Sequence, residues 1–148
     1  MTQENSKQLL LKDLCARLPY HIRVKVWLKD GTTEEGVLDL EHNYGDVLRD
    51  AFYYNKIVKI KPYLRPMSSM TEEEFAKLKE YSGLKYDQLD LKSFQNGTYK
   101  CLDFHLSEVP SAAVIRVFDW LNKYHFDYRD LIQMELAIAV TKENNPYK

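Results

Sequence analysis

The densest cluster of ring-bearing and ionisable side chains is Tyr124-His125-Phe126-Asp127-Tyr128-Arg129. Stacked rings beside one guanidinium can hold a nucleobase and its phosphate, which makes Tyr124, His125, Tyr128 and Arg129 candidate ligand-binding residues. The same residues also suit an elbow between two helices, with Phe126 as a packing staple, Asp127 as a cap and Arg129 paired to a carboxylate. Tyr63 and Arg65 are a second candidate pair. They lie between Pro62 and Pro66, on a segment expected to leave a sheet in extended form, where an aromatic anchors the chain and an exposed arginine contacts a ligand.

Other combinations carry less chemistry. Cys101 and His105, with Cys15 or His21, could be imagined as zinc ligands. On a strand, however, residues four apart are separated by about 13 Å, too far to share one tetrahedral ion. Cys101 with Asp103 and His105 has no sign of an activated thiolate or an oxyanion hole, and reads as a structural cysteine. Glu72-Glu73-Glu74 suits the positive end of a helix, and Glu34-Glu35 a solvated strand edge. No GxSxG, P-loop, GxGxxG or HExxH motif occurs. The expectation is no catalytic residue, no metal and no cofactor.

The elements that must position these residues follow from periodicity. Gln8–Leu18 offers Leu10, Leu11, Leu14, Cys15 and Leu18 as a helical stripe, ended by Pro19. His21–Leu28 alternates, with His21, Arg23, Lys25 and Trp27 on one face and Ile22, Val24, Val26 and Leu28 on the apolar one. Asp30-Gly31 marks a turn. Glu35–Glu41 reads as a second strand, Val47–Ala51 as a short extended piece and Tyr53–Ile60 as a further strand. Thr71 with Glu74 predicts a capping box for a helix running to Gly83. Thr98–Leu106 reads as a strand, Pro110-Ser111 opens a clear amphipathic helix, Asp127 caps a second helix from Tyr128 to about Glu135, and Leu136–Val140 is a last buried strand. The class is α+β: an N-terminal helix and short antiparallel sheet or small barrel, then a mainly helical C-terminal half with one or two added strands. A single domain over 1–148 is expected, with a helix-plus-sheet part (7–62) and a helical part (67–140) packed on it.

Composition narrows the partners. The chain has 148 residues, 45% hydrophobic and 29% charged, with eleven tyrosines and a net charge of −1, so no global field draws it to nucleic acid or an anionic membrane. Residues 1–66 carry 11 basic against 9 acidic side chains (+2), and 67–148 carry 10 against 13 (−3). Neither half has the basic stripe of a duplex binder. The polar N-terminus is not a signal peptide, and no apolar run approaches a membrane span. With two cysteines, the expected setting is cytoplasmic, with reduced thiols and no membrane partner.

Three segments, Lys12–Tyr20, Lys61–Glu73 and Asp119–Ile132, together resemble a family of small proteins encoded by gut Bacteroidales and their phages or prophages. The resemblance covers about a quarter of the chain and implies a mobile-element setting, with no catalytic residue to carry over. Asp130 and Glu135 stand where relatives are expected to have glycine, which implies a differently shaped turn. A more partial likeness is to Sm-like barrels: Val24-x-Val26-x-Leu28-Lys29-Asp30-Gly31 with Gly36-Val37-Leu38, behind an N-terminal helix, looks like the first half of their motif. Where that motif has its Asp and Met-Asn positions, this chain has His42, Gly45 and Asp46, so its RNA-contacting residues are not carried over.

The function expected from these observations is non-enzymatic binding or sequestration. The partner would be a small nucleotide signal or a host protein, as in inhibition of host defence. The alternatives are a small-barrel module binding RNA or single strands, with lysine and arginine gathered on one rim, and a nucleotide hydrolase with dispersed residues. A homo-oligomer is compatible with an open sheet edge or the tyrosine-rich faces.

Overall fold

A computed structural model describes residues 2–38, 56–83, 90–96 and 111–147. It is α+β, and divides into two compact units: Met1–Leu64 with Arg129–Lys148, and Arg65–Tyr128.

The first unit begins with helix α1 (Gln3–Arg17), capped by the Thr2 hydroxyl, which accepts the Asn5 N–H. It starts earlier than the sequence periodicity indicates. Leu14 is buried with Leu9, Leu10 and Leu18 packed near it, whereas Leu11 is 62% exposed and Cys15 is exposed too. The inward stripe is therefore narrower than expected, because Asp13 and Arg17 occupy part of the inner face. Pro19 ends the helix in a 3-10 turn, and His21, at φ 55, turns the chain into strand β1 (Ile22–Leu28).

Strand β1 alternates as expected: Ile22, Val24 and Val26 are fully buried, each contributing about 1.5–3 kcal/mol of apolar burial. Gly31, at φ 87, and the Asp30 carboxylate, which accepts the Thr32 N–H and hydroxyl, tighten the hairpin to β2 (Thr33–Leu38). Strand β3 (Ile57–Leu64) pairs antiparallel with the other side of β1. It corrects two expectations. The strand extends beyond Ile60, and Tyr63 and Leu64 belong to the sheet instead of leaving it. Pro62 is tolerated because its register partner is Val24, a position where the strand's N–H points away from β1.

The sheet order is β2-β1-β3-β4, the last strand (Ile138–Ala139) running parallel to Tyr63–Leu64. The Val140 N–H donates to the Leu64 carbonyl at 2.8 Å. The next rung between β1 and β3 is made by a side chain: the Tyr147 hydroxyl accepts the Arg23 N–H (3.2 Å) and donates to the Tyr63 carbonyl (2.7 Å). Burial pushes that phenol above its ordinary range.

The second unit holds helices α2 (Glu72–Ser82), α3 (Leu91–Gln95) and α4 (Ser111–Lys123). The expected capping box of Thr71 and Glu74 is present, and Gly83 closes α2 in the left-handed region. Met67, Met70, Leu78, Phe94, Val117, Trp120, Leu121 and Phe126 make its core. The extended piece at 47–51 and the strand at 98–106 lie outside the described residues, as do residues 53–55 of the strand expected over Tyr53–Ile60.

The helix expected over 128–135 is replaced by a single turn. Its Leu136 N–H donates to the Leu131 carbonyl (2.8 Å) and its Glu135 N–H to that of Ile132 (3.1 Å), with Glu135 at φ 60 and Asp130 at φ 61. This is the hydrogen-bond pattern that closes a helix through one left-handed residue, ordinarily glycine. Left-handed backbone before and after leaves room for one turn only. Asp130 and Glu135 both hold the left-handed backbone that glycine adopts without strain. Glu135→Gly is expected to raise stability by roughly 0.5–1 kcal/mol, the relieved strain less the added chain entropy. Glu135→Ala is expected to give no such gain, and urea denaturation of both variants checks the difference.

Candidate functional site

The sequence-predicted residues fall into both units, and their polar groups are largely engaged within the protein. In the second unit, the Arg65 guanidinium grips both oxygens of Glu74 (2.5 and 2.9 Å) and lies 4.2 Å from the centre of the Phe126 ring. Its backbone N–H donates to the His125 carbonyl (2.7 Å), and its carbonyl accepts the Asp127 N–H (2.8 Å). His125, at φ 64, is 9% exposed. Tyr124 packs against Trp120 with ring centres 4.5 Å apart. Tyr128 packs against Phe118 at 5.0 Å and donates its hydroxyl to Asn122. Arg65 and His125 thus meet through their backbones, while Tyr124 and Tyr128 rest on different rings of α4. Asp127, expected to cap a helix, stands before the single turn described above.

In the first unit, Tyr63 is 7% exposed and its hydroxyl donates to Glu35. Burial, reinforced by that carboxylate, pushes the phenol up to about 12. Arg129 pairs with a carboxylate, as the elbow reading expected, and the carboxylate is Asp13 (2.7 Å). Asp13 also receives Arg17, through Nε at 2.8 Å and Nη2 at 3.0 Å, and both Asp13 and Arg17 are completely buried. Among the described residues no three His, Cys, Asp or Glu converge as metal ligands.

A different surface of the first unit gathers basic side chains around one indole. Residues opposed across a sheet share a face, and the register therefore builds three rows on the side of β1 away from the core. Trp27 is opposite Lys59, and Lys25 opposite Lys61, with Glu35 on the other side of Lys25. Arg23 comes next, beside Val37. Lys59 Nζ lies 4.3 Å and Lys25 Nζ 5.6 Å from the Trp27 ring centre. The ion pairs of the described residues leave out Arg23, Lys25, Lys59 and Lys61. Glu35, the acidic member of the rows, accepts the Tyr63 hydroxyl.

Around the edge of β3 these rows meet a cleft of about 690 Å³ lined by Trp27, Lys59 and Lys61, by Lys7 of α1, by one carboxylate, Glu135, and by apolar side chains including Val58. Sequence reasoning missed this surface. The alternation of Arg23, Lys25 and Trp27 was legible. The antiparallel register that sets Lys59 and Lys61 beside them was not.

The chain matches no protein-family model, no curated protein and no solved structure.

Two outcomes follow for the engaged residues. Asp13→Ala leaves two guanidinium groups without their buried counter-charge and is expected to cost about 3–5 kcal/mol, read as a lower urea midpoint. The Glu74 carboxyl is raised by burial, but the hydrogen bonds from Arg65 and Thr71 outweigh this and hold it below its ordinary value. A depressed carboxylate stabilises the fold above its unfolded pKa, and that contribution disappears as pH falls through the folded one. Acid titration of the wild type should therefore show a loss of stability below about pH 4.5 that Glu74→Gln lacks.

Proposed function

We propose that the protein is a non-catalytic binding protein that captures a nucleotide on the basic face around Trp27 and in the adjoining cleft. The observation that carries this reading is the direct opposition of Lys25 and Lys61, with Lys59 and Arg23 beside them and Trp27 among them. Like charges facing each other across a sheet destabilise it. A phosphate placed between them turns that repulsion into paired, charge-assisted hydrogen bonds. Trp27 offers an indole for a base to stack on, and the apolar cleft wall shelters the rest of the ring.

Capture of this kind needs no bond to be made or broken. The resemblance to proteins of phages and prophages gives it a setting, in which an immune nucleotide signal is withdrawn from its receptor by being held. Of the residues first singled out, Tyr63, Arg65, Tyr124, Tyr128 and Arg129 serve this reading as the frame of the two units, since their hydroxyl, guanidinium or ring groups already bind within the chain, and His125 serves it through its backbone.

Tryptophan fluorescence titrated with mononucleotides and cyclic dinucleotides tests the proposal. Quenching is expected, weakened at least about tenfold by Lys25→Glu or Lys61→Glu, which corresponds to about 1.4 kcal/mol. Trp27→Phe should remove the signal that Trp120 does not report. Ligand recovered intact after denaturation supports capture, and hydrolysed ligand would instead make the protein an enzyme. Titrations indifferent to both charge reversals would sink the reading.

A further inference from the structure

The basic face extends further than one phosphate group requires. Successive rows on one face of a strand are about 6.6 Å apart, so the path from Lys59 through Lys61 and Lys25 to Arg23 covers about 13 Å. Lys7 lines the adjoining cleft with Lys59 and Lys61. A mononucleotide presents its charge at one point and would engage one row. An extended sugar-phosphate chain presents one charge per residue at a repeat comparable to the row spacing.

Resting on the nucleotide reading above, we infer that the natural occupant is a short single-stranded oligonucleotide, its phosphates following Lys59, Lys61, Lys25 and Arg23 while one base stacks on Trp27. Single strands suit such a surface because their bases are unstacked and can lie on an aromatic ring, whereas a duplex hides its base faces. The protein's net charge of −1 confines the attraction to this patch, which favours a few contacts over the long basic stripe of a duplex binder. An acidic peptide would match the charge but not the flat ring beside it. Strand addition along β3 is opposed by Pro62, by Lys59 and Lys61, and by the bulge where the register shifts opposite Trp27 and Leu28. The occupant therefore lies across the face and not along the edge.

The test titrates full-length protein with a nucleoside monophosphate, with single-stranded oligo-dT and oligo-U from dinucleotide to octanucleotide, with a duplex of the octamer's length, and with an oligo-glutamate peptide as competitor. Affinity should climb with length to about four nucleotides and then level off. Its log–log dependence on salt should have a slope of about −2 to −3, from three to four phosphates at about 0.7 each. Lys25→Gln and Lys61→Gln should each reduce that slope by about 0.7. Lys61→Gln also removes a like-charge repulsion with Lys25 and should keep or raise the melting temperature. That second readout separates lost contact from lost fold.

A monophosphate that binds as tightly as the octamer, with the same salt slope, overturns the oligonucleotide inference and leaves nucleotide capture standing. Equal binding of the duplex, or full displacement by oligo-glutamate, also overturns it. Absence of binding by any nucleotide, short or long, overturns both.

Discussion

Asp13 is a carboxylate with no exposure to water, and the first unit is organised around keeping it paired. Its own helix supplies Arg17 one turn later, and the returning C-terminal segment supplies Arg129. A buried ion of this kind is not a net source of stability, since the desolvation it suffers offsets most of what its partners return. Arg129 meets that carboxylate at the start of the returning segment, and the same segment carries the turn at Glu135, the parallel strand β4 and the Tyr147 hydroxyl. Each of those features depends on the segment being held where Asp13 holds it.

The basic face is supported from behind by this arrangement. Ile22, Val24 and Val26 point into an apolar core with Leu14, Leu38, Leu64 and Leu131, which fixes β1 and forces the alternate residues Arg23, Lys25 and Trp27 onto the opposite side. Tyr147 clamps β1 to β3 near Arg23, so the rows cannot slide. A one-residue slip would exchange the charged and apolar faces entirely. The spacing of the lysines along the strands is thus set by the core beneath them. Such preorganisation lowers the cost of binding, because only the lysine tips need to settle.

Much of the fold was legible in the sequence. Alternation identified β1, Asp30-Gly31 the hairpin, Thr71 with Glu74 the start of α2, and Pro110-Ser111 the start of α4. The failures share a physical origin. Pro62 looked like a strand breaker because its missing N–H matters only on a bonded side, and sequence does not say which side that is. Residues 128–135 have good helical composition, but composition is a weak prior beside the left-handed backbone at Asp130 and Glu135 and the pull of Asp13 on Arg129. The candidate site was less legible. Tyr63, Arg65, Tyr124, His125, Tyr128 and Arg129 are chemically capable, yet some of their partners are remote in sequence: Glu35 lies 28 residues from Tyr63 and Asp13 116 from Arg129. The Trp27 surface needed the pairing of two strands before its charges could be seen together.

The division of the chain also has a consequence in time. The sheet of the first unit takes its final strand from residues beyond Arg129, whereas Arg65–Tyr128 is a continuous stretch. During synthesis, the inserted unit emerges whole before the segment that completes the sheet has been made. It can reach its native contacts early, while β3 waits with one side open. Joining Leu64 to Val140 then closes a long loop, and contacts of such sequence separation form slowly. In that interval Pro62, Lys59 and Lys61 have a second use: they keep the waiting strand from pairing with a neighbouring nascent chain.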